Sequence, residues 1–252
     1  MSPRISFLII NFNYAEWLCD AIESAAVQNY DNYDIIFVDD ASTDDSWKKF
    51  MSKYVKHGYS SNMPEGIHVV GEFNKIKIHG IRLNVNGGPS RARNIGINFA
   101  LDKSVAICPL DSDDIVYPNK LKFLAEVLFS NPEVGVAYDN YYINNLMTGI
   151  TVHEIKETFS YEKLLRSCIV HGSCLIKLNY LEAVKNERGY YDQTMRVCED
   201  WDLWIRLAQK CILMQVPVTE TLHRATPRSS TDTVSKEIWQ HGWSTIHERY
   251  CH

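Results

Sequence analysis

Apolar runs of strand length alternate with helix-length amphipathic stretches along the first half of the chain, and this alternation restricts the fold more than any other feature. Ile5–Ile10 is an unbroken apolar run, followed by a helical stretch from about Ala15 to Gln28. Asp34–Val38 is a second, β-branched run that ends in Asp39 and Asp40. Ser42 and Thr43 offer N-caps to a helix carrying Trp47, Phe50 and Met51 on one face. The polar stretch Gly58–Gly66 reads as a loop, ahead of short strands at Ile67–Val70 and Ile78–Leu83. Asn86-Gly87-Gly88-Pro89 is a turn whose proline is placed to open a helix reaching about Leu101. Val105–Leu110 is a further buried strand, ending in Asp111-Ser112-Asp113-Asp114. Pro118 opens a helix through Phe129, and Val134–Tyr138 returns as a strand. Such alternation predicts an α/β fold with a largely parallel sheet covered on both faces. Ligands of such sheets bind beyond the carboxyl ends of the strands, which is where the acidic clusters fall.

The second half is more mixed. It predicts a hairpin over Tyr141–His153 around Met147-Thr148-Gly149, a helix near Tyr161–Ser167, a strand at Ser173–Lys177, a helix from Asp200 and a helical tail over Val234–Tyr250. No repeat or flexible linker interrupts the 252 residues. A net charge of −5 argues against a nucleic-acid binder. The seven cysteines are dispersed without a CxxC pair, as expected of free thiols in a reducing compartment. No run approaches the ~18 apolar residues of a membrane span. The expectation is therefore a cytoplasmic protein, with peripheral attachment to a membrane left open.

Four constellations have the composition for chemistry. Asp111 and Asp113, two apart, would share a face of an extended segment and repel unless a cation lies near. A hard divalent ion is the natural partner, because Mg²⁺ uses one or two carboxylates plus substrate phosphates; a solvated acidic turn is the alternative. Asp113 is the better metal ligand, while Asp111 suits a ribose hydroxyl. Asp39 and Asp40 end a different strand, where an acid can accept from a base or ribose or can simply build the turn with Ser42 and Asp44. Asn86–Asn94 combines a glycine turn, a helix start and the cations Arg91 and Arg93, a set suited to phosphate or to a plain turn with a solvated face. Neither GxxxxGK[ST] nor GxGxxG occurs. Glu199-Asp200-Trp201-Asp202 is an acidic helix start; Asp202 and Arg206 are spaced for a helix ion pair, which leaves Asp200 as the candidate general base. The tryptophans suit a core or a sugar-stacking platform, and His171 and His223 suit structural roles better than ligation.

Taken in order, these segments resemble the inverting glycosyltransferases of family 2. The resemblance runs from about Ile5 to Arg228 and rests on Ser6–Asn13, Gln28-Asn29-Tyr30, Val38–Asp44, Asn86-Gly87-Gly88 with Ala92-Arg93-Asn94, Leu110–Asp114 and Glu199–Arg206. It implies the GT-A fold, a Rossmann-like, mixed and mostly parallel open sheet with helices on both faces. It implies a transferase domain over 1–228, with a donor half at 1–115, an acceptor half at 116–228, and a helical tail at 229–252. The implied donor is a nucleoside-diphosphate sugar, a UDP-sugar first, and the acceptor a hydroxyl of a glycan, glycolipid or other glycoconjugate. Asn11, Phe12, Asn13, Asp39, Asn86, Gly88, Arg93, Asp111 and Ser112 then fall on the donor. Asp113 corresponds to the acid that holds Mn²⁺ or Mg²⁺, with His223 a further metal candidate, and Asp200 to the acid that takes the acceptor's proton. His171, Trp201 and Glu199 fall on the acceptor side, where Tyr138, Tyr141 and Tyr142 could also line a pocket. The aromatic C-terminal helix could support a homodimer. A sugar nucleotidyltransferase would carry a Gly-rich basic loop where Asn11-Phe12-Asn13-Tyr14 stands; a non-catalytic binder of sugar nucleotides is the other rival reading.

Overall fold

The computed structural model describes residues 2–56, 60–229 and 233–251. The chain divides into two compact units, Met1–Lys122 and Phe123–His252. Strands of the first are β1 (Ile5–Asn11), β2 (Tyr33–Asp39), β3 (Ser60–Met63), β4 (Gly66–Phe73), β5 (Ile76–Leu83), β6 (Ala106–Asp111) and the short β7 (Ile115–Val116). Six of them lie in the order β3-β4-β5-β2-β1-β6. The pairs β5–β2, β2–β1 and β1–β6 are parallel, whereas β3–β4 and β4–β5 are antiparallel. Every residue of β2 is buried, as is all of β1 but Ile10. Adjacent side chains of a strand point to opposite faces, so both faces of this sheet centre are covered.

Helices α1 (Leu18–Ala25), α2 (Ser46–Tyr54) and α3 (Pro89–Ala100) belong to the same unit. Leu18, Ala21, Ile22 and Ala25 of α1 are buried, at the spacing that places all four on one stripe. Trp47 and Phe50 of α2 stack on Phe37 of β2, with ring separations of 6.5 and 4.5 Å. A Cβ at Gly80 in β5 would come within 2.3 Å of Phe50, so glycine is what lets β5 pass that stack. Gln28 fastens the segment after α1 to the start of α4 (Lys120–Ser130): its Nε2 donates to the Tyr117 carbonyl at 3.0 Å and its Oε1 accepts from the Leu121 amide at 3.2 Å.

Three expectations need correction here. Part of the loop expected over Gly58–Gly66 is strand β3, while residues 57–59 lie outside the described residues. β3 is an edge strand with exposed or half-buried side chains, so no apolar alternation marks it. Helix α2 starts at Ser46 with Asp45 as its N-cap, because Ser42 and Thr43 spend their polar atoms on the loop after β1. Helix α1 is shorter at both ends than its apolar pattern suggested.

In the second unit the long β8 (Val134–Asn145) lies between β10 (Leu175–Lys177), antiparallel to it, and β11 (Ile212–Ala225), parallel to it. β9 (Thr151–Glu154) folds back on the distal half of β8 and completes the expected hairpin. Helices α5 (Tyr161–Arg166), α6 (Leu178–Val184), α7 (Glu199–Ala208) and α8 (Lys236–Tyr250) accompany them. The buried Asp202 organises the helices. It accepts from Arg206 at 2.8 Å, the helix pair expected from the spacing, and also from Arg249 at 2.9 Å and Tyr250 at 2.8 Å, both at the end of α8. The tail is thus bonded to α7 through a buried carboxylate.

On β4 and β5 of the first unit, the rings of His68 and His79 stack at 5.4 Å beside Phe99 of α3. Burial holds both imidazoles below their ordinary range; for His79 the nearby Asp34 opposes that shift. A depressed imidazole pKa gives stability that is present above the unfolded value of about 6.5 and is lost as pH falls through the folded value. Urea unfolding over a pH series should therefore show stability declining below about pH 6.5, with a flatter decline in His79→Phe.

Candidate active site

The parallel register brings four polar residues to one edge of the first unit's sheet. Arg82 of β5 lies opposite Asp39, Asp39 opposite Asn11, and Asp111 of β6 opposite Ile10 beside it. The Asp39 carboxylate is fully buried: Oδ1 accepts from Asn11 Nδ2 at 2.9 Å and Oδ2 from the Ser42 amide at 3.1 Å. Arg82 stands with Nε 3.8 Å from the same carboxylate, donates to the Ser42 carbonyl at 3.3 Å, and lies 5.8 Å over the Trp47 ring. The remaining atom of this group is unusual. Asn11 Oδ1 is buried with no hydrogen-bond partner, at the end of the strand where a ligand would meet it. An orphaned buried acceptor is costly unless something donates to it.

Asn13 knits the β1 loop to the β2 loop. Its amide donates to Ser42 Oγ at 3.0 Å, and its Oδ1 accepts from the Thr43 and Asp44 amides at 2.8 and 3.2 Å. It takes φ 60°, a left-handed conformation that asparagine tolerates better than most residues. Between these anchors Phe12 is 42% exposed and makes no ring contact among the described residues.

The neighbouring Asp40 explains the glycine turn. Its carboxylate accepts from the Gly87 amide at 3.0 and 3.1 Å and from the Gly88 amide at 2.7 Å, while Asn86 Nδ2 donates to its carbonyl at 3.1 Å. Gly88 caps α3 at φ 84°, the left-handed region open to glycine. The two turn amides therefore hold a carboxylate of the protein itself, a use the sequence did not reveal. Burial pushes the Asp40 carboxyl up, against the opposing pull of those amides and of Arg91.

Arg93, one turn into α3, is largely buried and pairs with Asp111 at 2.8 Å, whose own side chain is half exposed. After Asp111 the chain does not stay extended, as the reading of a shared face for Asp111 and Asp113 assumed. The Asp114 amide bonds the Asp111 carbonyl at 3.0 Å and closes a turn in which Ser112 is buried and Asp113 half-buried. Two carboxylates in one turn still make a hard oxygen donor set. Among the described residues no three His, Cys, Asp or Glu groups gather as a metal cage. An ion held by one or two carboxylates and completed by substrate phosphates needs no such cage, so these residues fit Mn²⁺ or Mg²⁺.

In the second unit Asp200 is half-buried in the first turn of α7, after Cys198 in a left-handed conformation at φ 63°. Its Oδ1 accepts from the Trp201 amide at 2.7 Å, and the Cys168 thiol stands 3.9 Å from its Oδ2. Burial, reinforced by the Asp200 charge, drives the Cys168 thiol well above its ordinary pKa. Glu199 precedes it, also half-buried. Trp201 is buried, and its Nε1 donates to the Leu164 carbonyl at 2.6 Å. The sugar-stacking role considered for it needs an open ring face, which it lacks. Tyr138 is likewise in the core.

His171 is held on both ring nitrogens. Its Nδ1 accepts from the Ser173 amide at 3.2 Å, which leaves Nε2 to donate to the buried Asp139 at 3.1 Å. Asp139 also accepts from the Glu220 amide and the Thr221 hydroxyl of β11. His223 packs edge-on to Tyr141 at 4.5 Å and lies 5.6 Å from the His171 ring. Lys156 reaches over Tyr141, its ammonium 5.0 Å from the ring centre, and burial lowers its pKa. Neither Arg82 nor Lys156 was singled out from the sequence. Arg82 had a readable signal, since it stands at the end of an expected strand.

A family model described as "Glycosyl transferase family 2" matches residues 6–177. The chain belongs to glycosyl transferase family 2. The match spans both the glycine-turn and the acidic-turn segments of the first unit. Among similar proteins, an uncharacterized glycosyltransferase of Rickettsia conorii is 26% identical over 217 residues, covering 82% of this chain, which spans 30% of that relative's length. The Escherichia coli UDP-Glc:alpha-D-GlcNAc-diphosphoundecaprenol beta-1,3-glucosyltransferase WfaP is 26% identical over 93% of this chain and 82% of its own length. Among solved structures, S. aureus TarS 1-349 in complex with UDP matches with a TM-score of 0.69 at 17% identity, over 97% of this chain and 64% of that one. The mannosyltransferase PcManGT from Pyrobaculum calidifontis, in complex with GDP-Man and Mn²⁺, matches with a TM-score of 0.63 at 16% identity, over 91% and 59%. The family 2 chain thus has the GT-A fold of these transferases.

The geometry makes one residue testable without any ligand. Asp40→Ala removes the acceptor of the Gly87 and Gly88 amides, and should lower unfolding stability by about 1–3 kcal/mol. Asp40→Asn, which keeps one acceptor oxygen, should lose less in the same urea titration.

Proposed function

We propose that this family 2 chain is an inverting, metal-assisted transferase that moves a sugar from a nucleoside-diphosphate sugar, a UDP-sugar first, to a hydroxyl of a glycan or glycoconjugate. The observation that carries the proposal is the ligand-ready sheet edge: the orphaned Asn11 Oδ1 beside Asp39, the exposed Phe12, and the Arg93–Asp111 pair before Asp113. Asn11, Phe12, Asn13 and Asp39 are assigned to the nucleoside. Phe12 offers a face for a base, and Asn11 Oδ1 accepts from a ring N–H such as that of uracil. Asn13, with Asn86 and Gly88, shapes the loops of the donor site. Arg93 keeps Asp111 in place, and Asp111 with Ser112 serves the ribose and diphosphate. That UDP heads the list is supported by the UDP-Glc in the name of the E. coli relative and by the UDP and UDP-GlcNAc complexes of TarS.

Asp113, with Asp111 beside it, would hold the divalent ion; His223 is the weaker candidate, since its ring is packed against Tyr141. When bound, the ion neutralises charge that grows on the departing diphosphate. Asp200 acts as general base. Its Oδ1 accepts from the Trp201 amide, which holds the carboxylate in place at the start of α7. As that proton moves to Asp200, the acceptor oxygen attacks the anomeric carbon from the face opposite the leaving diphosphate. The carbon is inverted, and the sugar–phosphate bond breaks with its electron pair on the diphosphate. In this assignment residues 1–115 recognise the donor and residues 116–228 the acceptor, with 229–252 as a supporting tail.

Calorimetry with UDP, GDP, ADP and dTDP, with and without Mn²⁺, tests the donor site. Tight binding of UDP that needs the metal and is lost in Asp113→Ala is expected; no binding of any nucleotide in either condition would sink the donor reading. Asp200→Asn should reduce donor-dependent transfer by ~10²–10⁴-fold, the usual worth of general-base catalysis, and leave UDP affinity within about twofold. A variant with near-normal turnover would refute the base assignment.

A further inference from the structure

Lys156 lies within electrostatic reach of Asp200, and the proposed chemistry leaves it unused. It follows β9 on a segment that β8 holds at two points. The Lys156 amide donates to Asn140 Oδ1 at 2.8 Å, and the next carbonyl, that of Glu157, accepts from the Tyr138 hydroxyl at 3.0 Å. Asn140 is itself buried and also accepts from Gln215 Nε2 at 3.2 Å. Backbone fixed in this way carries the half-buried side chain across the Tyr141 ring, with Nζ 5.0 Å from its centre. Tyr141 is bounded in turn by the rings of His171 at 5.1 Å and His223 at 4.5 Å.

A cation withdrawn from water is ordinarily matched by an anion. Among the described residues the Lys156 ammonium makes no ion pair and donates no hydrogen bond. Glu157, next in the sequence, pairs with Lys163 instead. Burial lowers the Lys156 pKa, and Cys168, Glu154 and Asp200 pull the other way without closing on it. The Tyr141 face offsets only part of what a contacting anion would supply.

We propose that Lys156 binds an anionic oxygen group of the acceptor, a phosphate ester or a carboxylate, while Asp200 takes the proton of the acceptor's hydroxyl. The inference rests on the reading of Asp200 as general base and adds to it a class of acceptor, a charged sugar rather than a neutral one. Charge balance is the physical reason. An anionic acceptor brought up to Asp200 meets a carboxylate of its own sign, and that approach is repulsive unless a cation shares the space. Lys156 is placed to be that cation. Its ammonium is a point charge with rotatable donors, so it serves phosphate and carboxylate alike.

Ligand-observed NMR titrations with methyl glucoside, its 6-phosphate and methyl glucuronoside test this. Divalent ions are chelated and Asp113→Ala is run alongside, so that a metal at the donor site cannot account for phosphate binding. An anionic probe should bind about tenfold more tightly than the neutral one, the usual worth of one charge-assisted hydrogen bond. The phosphate and carboxylate arms show which group is taken. Lys156→Met should remove the advantage and leave the neutral probe unchanged, whereas Lys156→Arg should keep most of it. Should Lys156→Met fail to fold, Lys156→Gln carries the same expectation. Equal binding of charged and neutral probes by the unaltered protein, or an undiminished preference in Lys156→Met, would overturn the proposal. So would a loss of all three probes together, the mark of a lysine that only braces Tyr141. UDP binding and the turnover of Asp200→Asn are measured separately, so failure of the donor or base reading registers apart from failure of the Lys156 site.

Discussion

Two adjacent carboxylates at the end of β2 would repel one another, and the arrangement of the first unit's loops follows from how that repulsion is relieved. Asp39 turns to Asn11, the Ser42 amide and Arg82. Asp40 turns to the amides of Gly87 and Gly88. Each acid thereby ties the end of its strand to a different neighbour, one to β1 and the other to the start of α3. The glycine turn, the left-handed residues Asn13 and Ala41, and the late start of α2 are all consequences of supplying donors to these groups. Buried carboxylates are stable where donors surround them and destabilising where they do not.

The second unit separates structural acids from the one assigned to chemistry by the same measure. Asp139, Asp192 and Asp202 are buried, and each has at least two donors from other elements or its own turn. Asp200 sits two residues before Asp202 but is half-buried, and its carboxylate accepts from the Trp201 amide and lies beside the Cys168 thiol. Two positions of one helix start thus differ in burial, with Asp202 facing Arg206 and the end of α8.

Much of this was legible in the sequence where burial and period coincide. β1, β2 and β6 are apolar runs, the last two with acids at their ends, and the hairpin of the second unit follows from its turn residues. The Asp202–Arg206 pair followed from helical spacing alone. What escaped had no local signal. β3 is polar because it is an edge; β11 mixes charged and apolar residues with bulges that break alternation; α6 is a short helix among loops. The turn at Asp111–Asp114 was read as extended because nothing in four acidic and hydroxyl residues distinguishes a strand end from the turn beyond it. The role of Asp40 was hidden for a different reason, since its partners lie 47 and 48 residues away.

The loop after β1 divides its labour among three consecutive residues. Asn11 and Asn13 are bonded on either side to Ser42, Thr43 and Asp39, so they keep the loop's shape. Phe12 between them touches no other ring among the described residues and is open to solvent. A change at that one position alters the surface a ligand meets without disturbing the scaffold that presents it. Under the proposed donor assignment, nucleotide preference would change by substitution at this one position while the loop keeps its bonds, a modularity built into the spacing of two asparagines.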